Sequence, residues 1–484
     1  MFFRRAVLSV IFPIVLASCA RTIGSVTALD ETPPIYPDYV GVTIPVNIAP
    51  LNFKLIGDES RHKVAATFNA GRISYSTLSD KGLVRIPLKA WKQLTASASG
   101  GSIEVKVSVG DSEGWKSYKP FEILVSRDKV DPYLAYRLIE PAQEIWNHMG
   151  IYQRCVENFE ETAIIENDMT DGNCMNCHSF LARDPGKMLF HMRAVNPGTM
   201  LIRDGELEKL NTKTDKTISA LVYPYWHPSG KYIAFSVNDT KQAFHTTDTN
   251  RVEVFDFKSD VVVYDVDNHK VLISPTLTQG SSFETFPSFS PDGRTLFFCT
   301  ADSLEMPSRF SDLKYALCSV SFNESDGSVG DKVDTLYKGK SVSFPRVSPD
   351  GRFLMMTLSE YGNFSIWHQD ADLYMVNLKD GSVKPLEKAN SSRTESYHSW
   401  SGNSRWVVFS SRRDDGLYTR LYFTHIDEEG NPSKPFVLPQ KDPDFYGEFM
   451  KSYNIPETIS GPVSYPARDI ALKAKNDKGI DVSS

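Results

Sequence analysis

The sequence predicts a mainly β chain in three parts: an N-terminal β-sandwich, a short helical segment and a C-terminal array of β-repeats. Three observations carry this. Short runs of alternating apolar residues fill the first quarter, separated by Gly, Asn, Asp and Ser. A Pro-Asp-Gly motif flanked by aromatic residues returns through the second half. Aromatic residues make up 12% of the chain, beside 29 Gly and 28 Pro, a composition suited to strands joined by many turns.

Residues 1–18 read as a targeting leader. Arg4 and Arg5 form a positive start, and residues 6–17 an apolar stretch too short to span a membrane comfortably. It ends at Leu16-Ala17-Ser18-Cys19, which resembles the lipobox of bacterial lipoproteins. That resemblance implies cleavage before Cys19, a diacylglycerol on its thiol and an outer-membrane anchor. Residues 19–37, rich in Thr, Ser and Pro, suit a tether. The leader carries two arginines and no acids, so its loss takes the net charge from −7 to −9, which argues against a nucleic-acid partner.

Residues 38–126 read as a single sandwich of immunoglobulin or fibronectin type. Val40, Val42, Ile44 and Val46 alternate, as do Ile103, Val105 and Val107. Further strand-like runs fall at 51–56, 64–68, 73–75 and 121–125.

Over residues 127–186 the period changes. Leu134, Leu138, Ile145, Met149 and Ile151 suggest one or two helices, with Pro132 and Pro141 near their starts. This linker leads into Asn173-Cys174-Met175-Asn176-Cys177-His178-Ser179, whose CxxCH is the attachment signature of a c-type haem. Two thiols at this spacing add to the two vinyl groups of one porphyrin, and the adjacent imidazole takes an axial place on the iron. The expected cofactor is one covalent haem c on Cys174, Cys177 and His178. The sixth iron position falls to Met188, His191 or Met192, with His148 and Met149 next in line. The same pattern also fits a redox dithiol, a small disulfide loop or part of a zinc site, and Cys155 would join the last two. Cys299 and Cys318 fall on neighbouring strands, either as a cross-strand disulfide or as two buried thiols.

Residues 187–454 carry the repeat. Four segments align: Tyr223-Pro224-Tyr225-Trp226-His227-Pro228-Ser229-Gly230, Phe286-Pro287-Ser288-Phe289-Ser290-Pro291-Asp292-Gly293, Phe344-Pro345-Arg346-Val347-Ser348-Pro349-Asp350-Gly351, and a worn copy beginning Tyr397-His398-Ser399-Trp400. Each precedes an apolar strand, because an apolar residue packs between neighbouring sheets and Pro-Asp-Gly turns the chain. These segments resemble the WD40-like repeats of TolB-type β-propellers, which implies a propeller of five or six blades. Residues 188–202 would start an incomplete blade, completed from around 445–453. Residues 455–484 read as a tail lying over a neighbour.

Beyond single motifs, Tyr136-Arg137-Leu138-Ile139, Gly150-Ile151-Tyr152-Gln153-Arg154, the run from Cys174 to Phe180, the run from Lys187 to Arg193 and the run from Trp226 to Lys231 are similar to a family of Bacteroidota lipoproteins. There a β-sandwich, a CMNCHSF-like motif and a TolB-like propeller occur together. The expectation is an envelope lipoprotein with one covalent haem, anchored by lipid and docking a protein partner in an electron-transfer or outer-membrane complex. The alternative is an accessory lipoprotein that binds protein, peptide or glycan through the propeller, with the CxxCH structural. Neither is expected to be an enzyme, since no GxSxG elbow occurs.

Overall fold

The computed structural model describes residues 26–111, 114–141 and 147–484. The leader and the lipidation site at Cys19 lie outside them.

In the N-terminal unit the longest strands each have one apolar face. Lys63–Ala70 and Ser102–Asp111 bury alternate residues, as a half-covered sheet requires. They belong to a seven-stranded sheet that shares its core with a three-stranded one, formed by Ile35–Tyr36, Phe53–Leu55 and Leu83–Val84. A ten-residue helix, Leu88–Ser97, is an addition to the expected arrangement. Its Trp91 is fully buried and donates from Nε1 to the Ile48 carbonyl at 2.9 Å.

The helical linker is corrected. Tyr133–Ile139, Gly150–Cys155 and Glu161–Glu166 are strands, and the CxxCH itself lies on the strand Cys174–Phe180. Residues 134–139 are buried without a break. A strand covered on both faces has no two-residue alternation to read, so its apolar run passes for a helix.

From Tyr133 onward the chain builds six antiparallel four-stranded sheets in sequence, the second with an added fifth strand. The first takes Tyr133–Ile139, Gly150–Cys155 and Glu161–Glu166, and its innermost strand is Ser452–Ile459 from the far end of the chain. The innermost strands of the other five are Cys174–Phe180, Val222–Trp226, Ser282–Phe289, Ser341–Val347 and Glu395–Trp400. Each innermost strand touches the next, and the sixth touches Ser452–Ile459, so the sheets close a ring. This is a β-propeller running from Tyr133 to Ile459, wider than the 187–454 expected. The closing strand joins Tyr133–Ile139, not residues 188–202.

Indoles pack between sheets as the repeat implied. Trp226 Nε1 donates to the Ser179 carbonyl at 3.4 Å and Trp400 Nε1 to the Arg346 carbonyl at 3.1 Å. The tail helix Ala467–Asn476 buries Ile470 and Ala474 against the first two sheets, and Ile480–Asp481 extends the second. The N-terminal unit packs on the sixth sheet, where Trp406 Nε1 donates to the Asp128 carbonyl at 2.9 Å.

Candidate functional site

The six innermost strands share one irregularity. Cys177, Tyr223, Phe286, Phe344, Tyr397 and Ile455 all have positive φ, between 40° and 54°. At each, the strand slips register against its neighbour, as a bulge does. A left-handed conformation costs a residue with a Cβ about 1–2 kcal/mol, so six in equivalent places mark a built feature. Proline follows four of them, at 224, 287, 345 and 456, while His178 and His398 follow the other two. Proline has no N–H to lose there, because the innermost edge faces the channel.

These side chains converge on the axis. Tyr223 and Phe286 stack edge-on at 4.8 Å, Phe286 and Phe344 lie 4.2 Å apart, and Phe344 and Tyr397 4.8 Å apart. Tyr223 even reaches Phe344, two sheets away, at 6.3 Å. The channel is therefore plugged, with a pocket on each side. The larger, about 530 Å³, is lined by Arg137, Cys174, Asn176, His191 and Trp367. Part of its wall is the long hairpin Tyr232–Phe244 and Val252–Asp265 through Thr240, Gln242 and Val254. That hairpin docks on a loop of the fifth sheet, where Asn250 donates to the Tyr361 hydroxyl at 3.1 Å and His368 meets Glu253 at 3.1 Å. The smaller pocket, about 340 Å³, is lined by His178, Tyr225, Arg346, His398 and Glu457 among others.

The CxxCH is thus one worn copy of the propeller repeat. Cys177-His178-Ser179-Phe180 occupies the place that Tyr223-Pro224-Tyr225-Trp226 holds in the next sheet. Cys174 belongs to a cluster with Met149 and Ile151 toward the first sheet. The Cys177 thiol instead lies beside the Tyr223 backbone on the third. Burial pushes both thiols above their ordinary range, the state of inert structural cysteines. His178 is 2% exposed, and burial, then the nearby Arg137 charge, pulls its imidazole down to about 3. Neither ring nitrogen makes a hydrogen bond of normal geometry, although the Ile455 backbone lies near.

The expected axial candidates do not converge. Met188 and Met192 sit in the cluster toward the first sheet. His191, out of phase by one residue, points to the other face, with Nδ1 at 3.1 Å from Thr199 Oγ1. His148 meets Lys451 at 2.9 Å, and the Met149 sulfur accepts from the Met175 amide. Cys174 lines the larger pocket and Cys177 and His178 the smaller, with both thiols near Arg137 and Arg193. Among the described residues no cluster of three His, Cys, Asp or Glu could hold a metal ion. All five described cysteines are free. Cys155 sits beside Tyr133 at the end of an outer strand, away from the motif. Cys299 and Cys318 pair with each other's neighbours and enter different clusters on opposite faces of their sheet, so no bridge joins them.

No family model matches this chain, and no curated protein matches it. Among solved structures, an oligogalacturonate lyase in complex with manganese aligns at 10% identity and TM-score 0.37 over 64% of this chain and 73% of its own. A puromycin-hydrolysing peptidase of Mycobacterium tuberculosis aligns at 11% and 0.38 over 81% and 49%. A Synechocystis apocarotenoid oxygenase mutant aligns at 12% and 0.37 over 85% and 95%. At these values the likeness assigns no activity, and the propeller rests on the topology above. All three neighbours are named as enzymes or their variants, whereas the sequence led to the expectation of no enzyme.

Proposed function

We propose that this chain is a ligand-binding propeller of six blades, tethered to the outer membrane through lipid on Cys19, with an N-terminal sandwich as spacer. Cys174, Cys177 and His178 form part of the channel wall and carry no haem. The observation that carries this reading is the shared place of Cys177 in the ring of six left-handed residues. A residue serving the plug of a channel has its side chain committed. Pockets of 300–1,000 Å³ with a few converging polar groups are the ordinary form of a binding site, and both channel pockets fall in that range. The occupant is a small molecule or a short segment of an envelope protein.

A photo-crosslinking residue at Tyr225, inside the smaller pocket, tests this in cells. A second at Leu78, exposed on the N-terminal sheet, is the control. Adducts at 225 and none at 78 support a channel ligand. Equal labelling at both, or none at 225, contradicts it. The anchor is checked separately, since Cys19→Ala should move the protein from the membrane to the soluble fraction.

A further inference from the structure

Two residues beyond the plug, the six innermost strands present a second layer: Glu457, Ser179, Tyr225, Ser288, Arg346 and Ser399, in order round the ring. Large and small alternate. Sheets one, three and five contribute Glu457, Tyr225 and Arg346, whereas two, four and six contribute serine. Ser179 and Ser399, with Tyr225, Arg346 and Glu457, line the smaller pocket.

Its polar groups are mostly donors. The Arg346 guanidinium reaches across the lumen and lies 4.9 Å from the Tyr225 ring centre, two sheets away. Its one hydrogen bond is from Nη1 to its neighbour's carbonyl, Pro345, at 2.9 Å. Among the described residues no carboxylate forms an ion pair with it. Burial pulls its charge toward loss, and Tyr225, Glu457 and Cys299 oppose this. Glu457 accepts from the Phe180 amide at 3.2 Å, and burial pushes its carboxyl up to about 8 against the pull of the Arg346 charge. In the pocket wall the Ser399 hydroxyl, both nitrogens of His178 and Nδ1 of His398 make no hydrogen bond of normal geometry. Buried polar atoms without partners are costly, and a ligand that accepts from Arg346 and pairs with these groups would satisfy them. Trp226, Trp400 and Pro349 give the pocket apolar walls.

We infer that the smaller pocket takes the carboxylate of a ligand with a flat apolar body, paired with Arg346 and lying against Tyr225. This rests on the channel-binding reading and adds the ligand's chemistry. A carboxylate suits the planar fork of arginine, which binds it through two parallel bonds.

Tryptophan fluorescence of the full-length protein reports binding, because Trp226 and Trp400 wall the pocket. Benzoate and N-acetylphenylalanine are titrated against benzamide and N-acetylphenylalaninamide. Binding of the acids but not the amides is expected. Preference for benzoate points to a small acid, and preference for N-acetylphenylalanine to a peptide chain end. Arg346→Gln should weaken acid binding roughly ten- to a hundredfold, while Arg346→Lys, which keeps the charge but loses the fork, should bind the acids more tightly than Arg346→Gln and less tightly than the parent. Amides binding as well as acids, or an undiminished Arg346→Gln, would overturn the inference. If no acid binds while crosslinking at Tyr225 still gives specific adducts, the carboxylate falls and the channel reading stands.

Discussion

Cys177 is where the two readings of the motif part. Its φ of 53° is shared with five residues that have no thiol, so the conformation belongs to the propeller and not to sulfur chemistry. The buried titratable groups round the channel make this legible in solution. Burial pulls His178, His191 and His398 down to about 3, so the folded chain keeps them neutral. Unfolded histidine titrates near 6.5, and below that pH the unfolded state binds protons that the native state refuses. Stability should therefore fall as pH drops from about 6.5 toward 3. Glu457 acts in the opposite sense. Its carboxyl is raised to about 8, so stability should fall as pH rises from about 4.5 to 8 while unfolded glutamate has already lost its proton. Melting temperature against pH checks both. His398→Asn should flatten the acid limb and Glu457→Gln the alkaline one; unchanged slopes would contradict these burial states.

At the scale of the element, legibility depended on how many faces each strand covers and how intact each repeat is. The Pro-Asp-Gly turns were readable because the backbone demands them: Gly293 and Gly351 have φ of 73° and 74°, and each preceding aspartate accepts from a serine hydroxyl at 2.6 Å. The copy at Cys177 was hidden because its ring residue is not aromatic and His178 stands for proline. The innermost strand Ser452–Ile459 was hidden for the same reason, with Ile455 at the ring position. The strands Tyr133–Ile139 and Gly150–Cys155 read as helical because burial on both faces erases their alternation. The inter-sheet contacts now specify a cost. Trp400 is 5% exposed and its indole bonds the Arg346 carbonyl. Trp400→Ala should destabilise the chain by about 3–5 kcal/mol in denaturant unfolding. A change below 1 kcal/mol would mean that the indole is not part of the core.

For the molecule as a whole, the chain's own end closes the ring. Ser452–Ile459 bonds Tyr133–Ile139 across more than three hundred residues, and Thr419 Oγ1 donates to the Tyr453 carbonyl at 2.7 Å. A chain ending at Lys451 would leave the first sheet without its innermost strand and expose an unpaired edge to the channel. Loss of a cooperative thermal transition, with aggregation, is expected for that truncation. A melting point equal to the parent's would show that the ring closes otherwise. The β character of the N-terminal unit is legible in its alternating apolar runs, whereas the tail expected from 455 in fact begins after the ring-closing strand Ser452–Ile459. The channel was not, because its plug is assembled from one residue of each of six distant strands.

The central claim is that Cys174, Cys177 and His178 belong to the wall of the plugged channel. Its most direct test is the intact mass and visible spectrum of the protein, made with its own leader in a host equipped to attach haem c. A colourless protein whose Asn173–Phe180 peptide carries two unmodified thiols is the result expected. A covalent haem on that peptide would contradict the account.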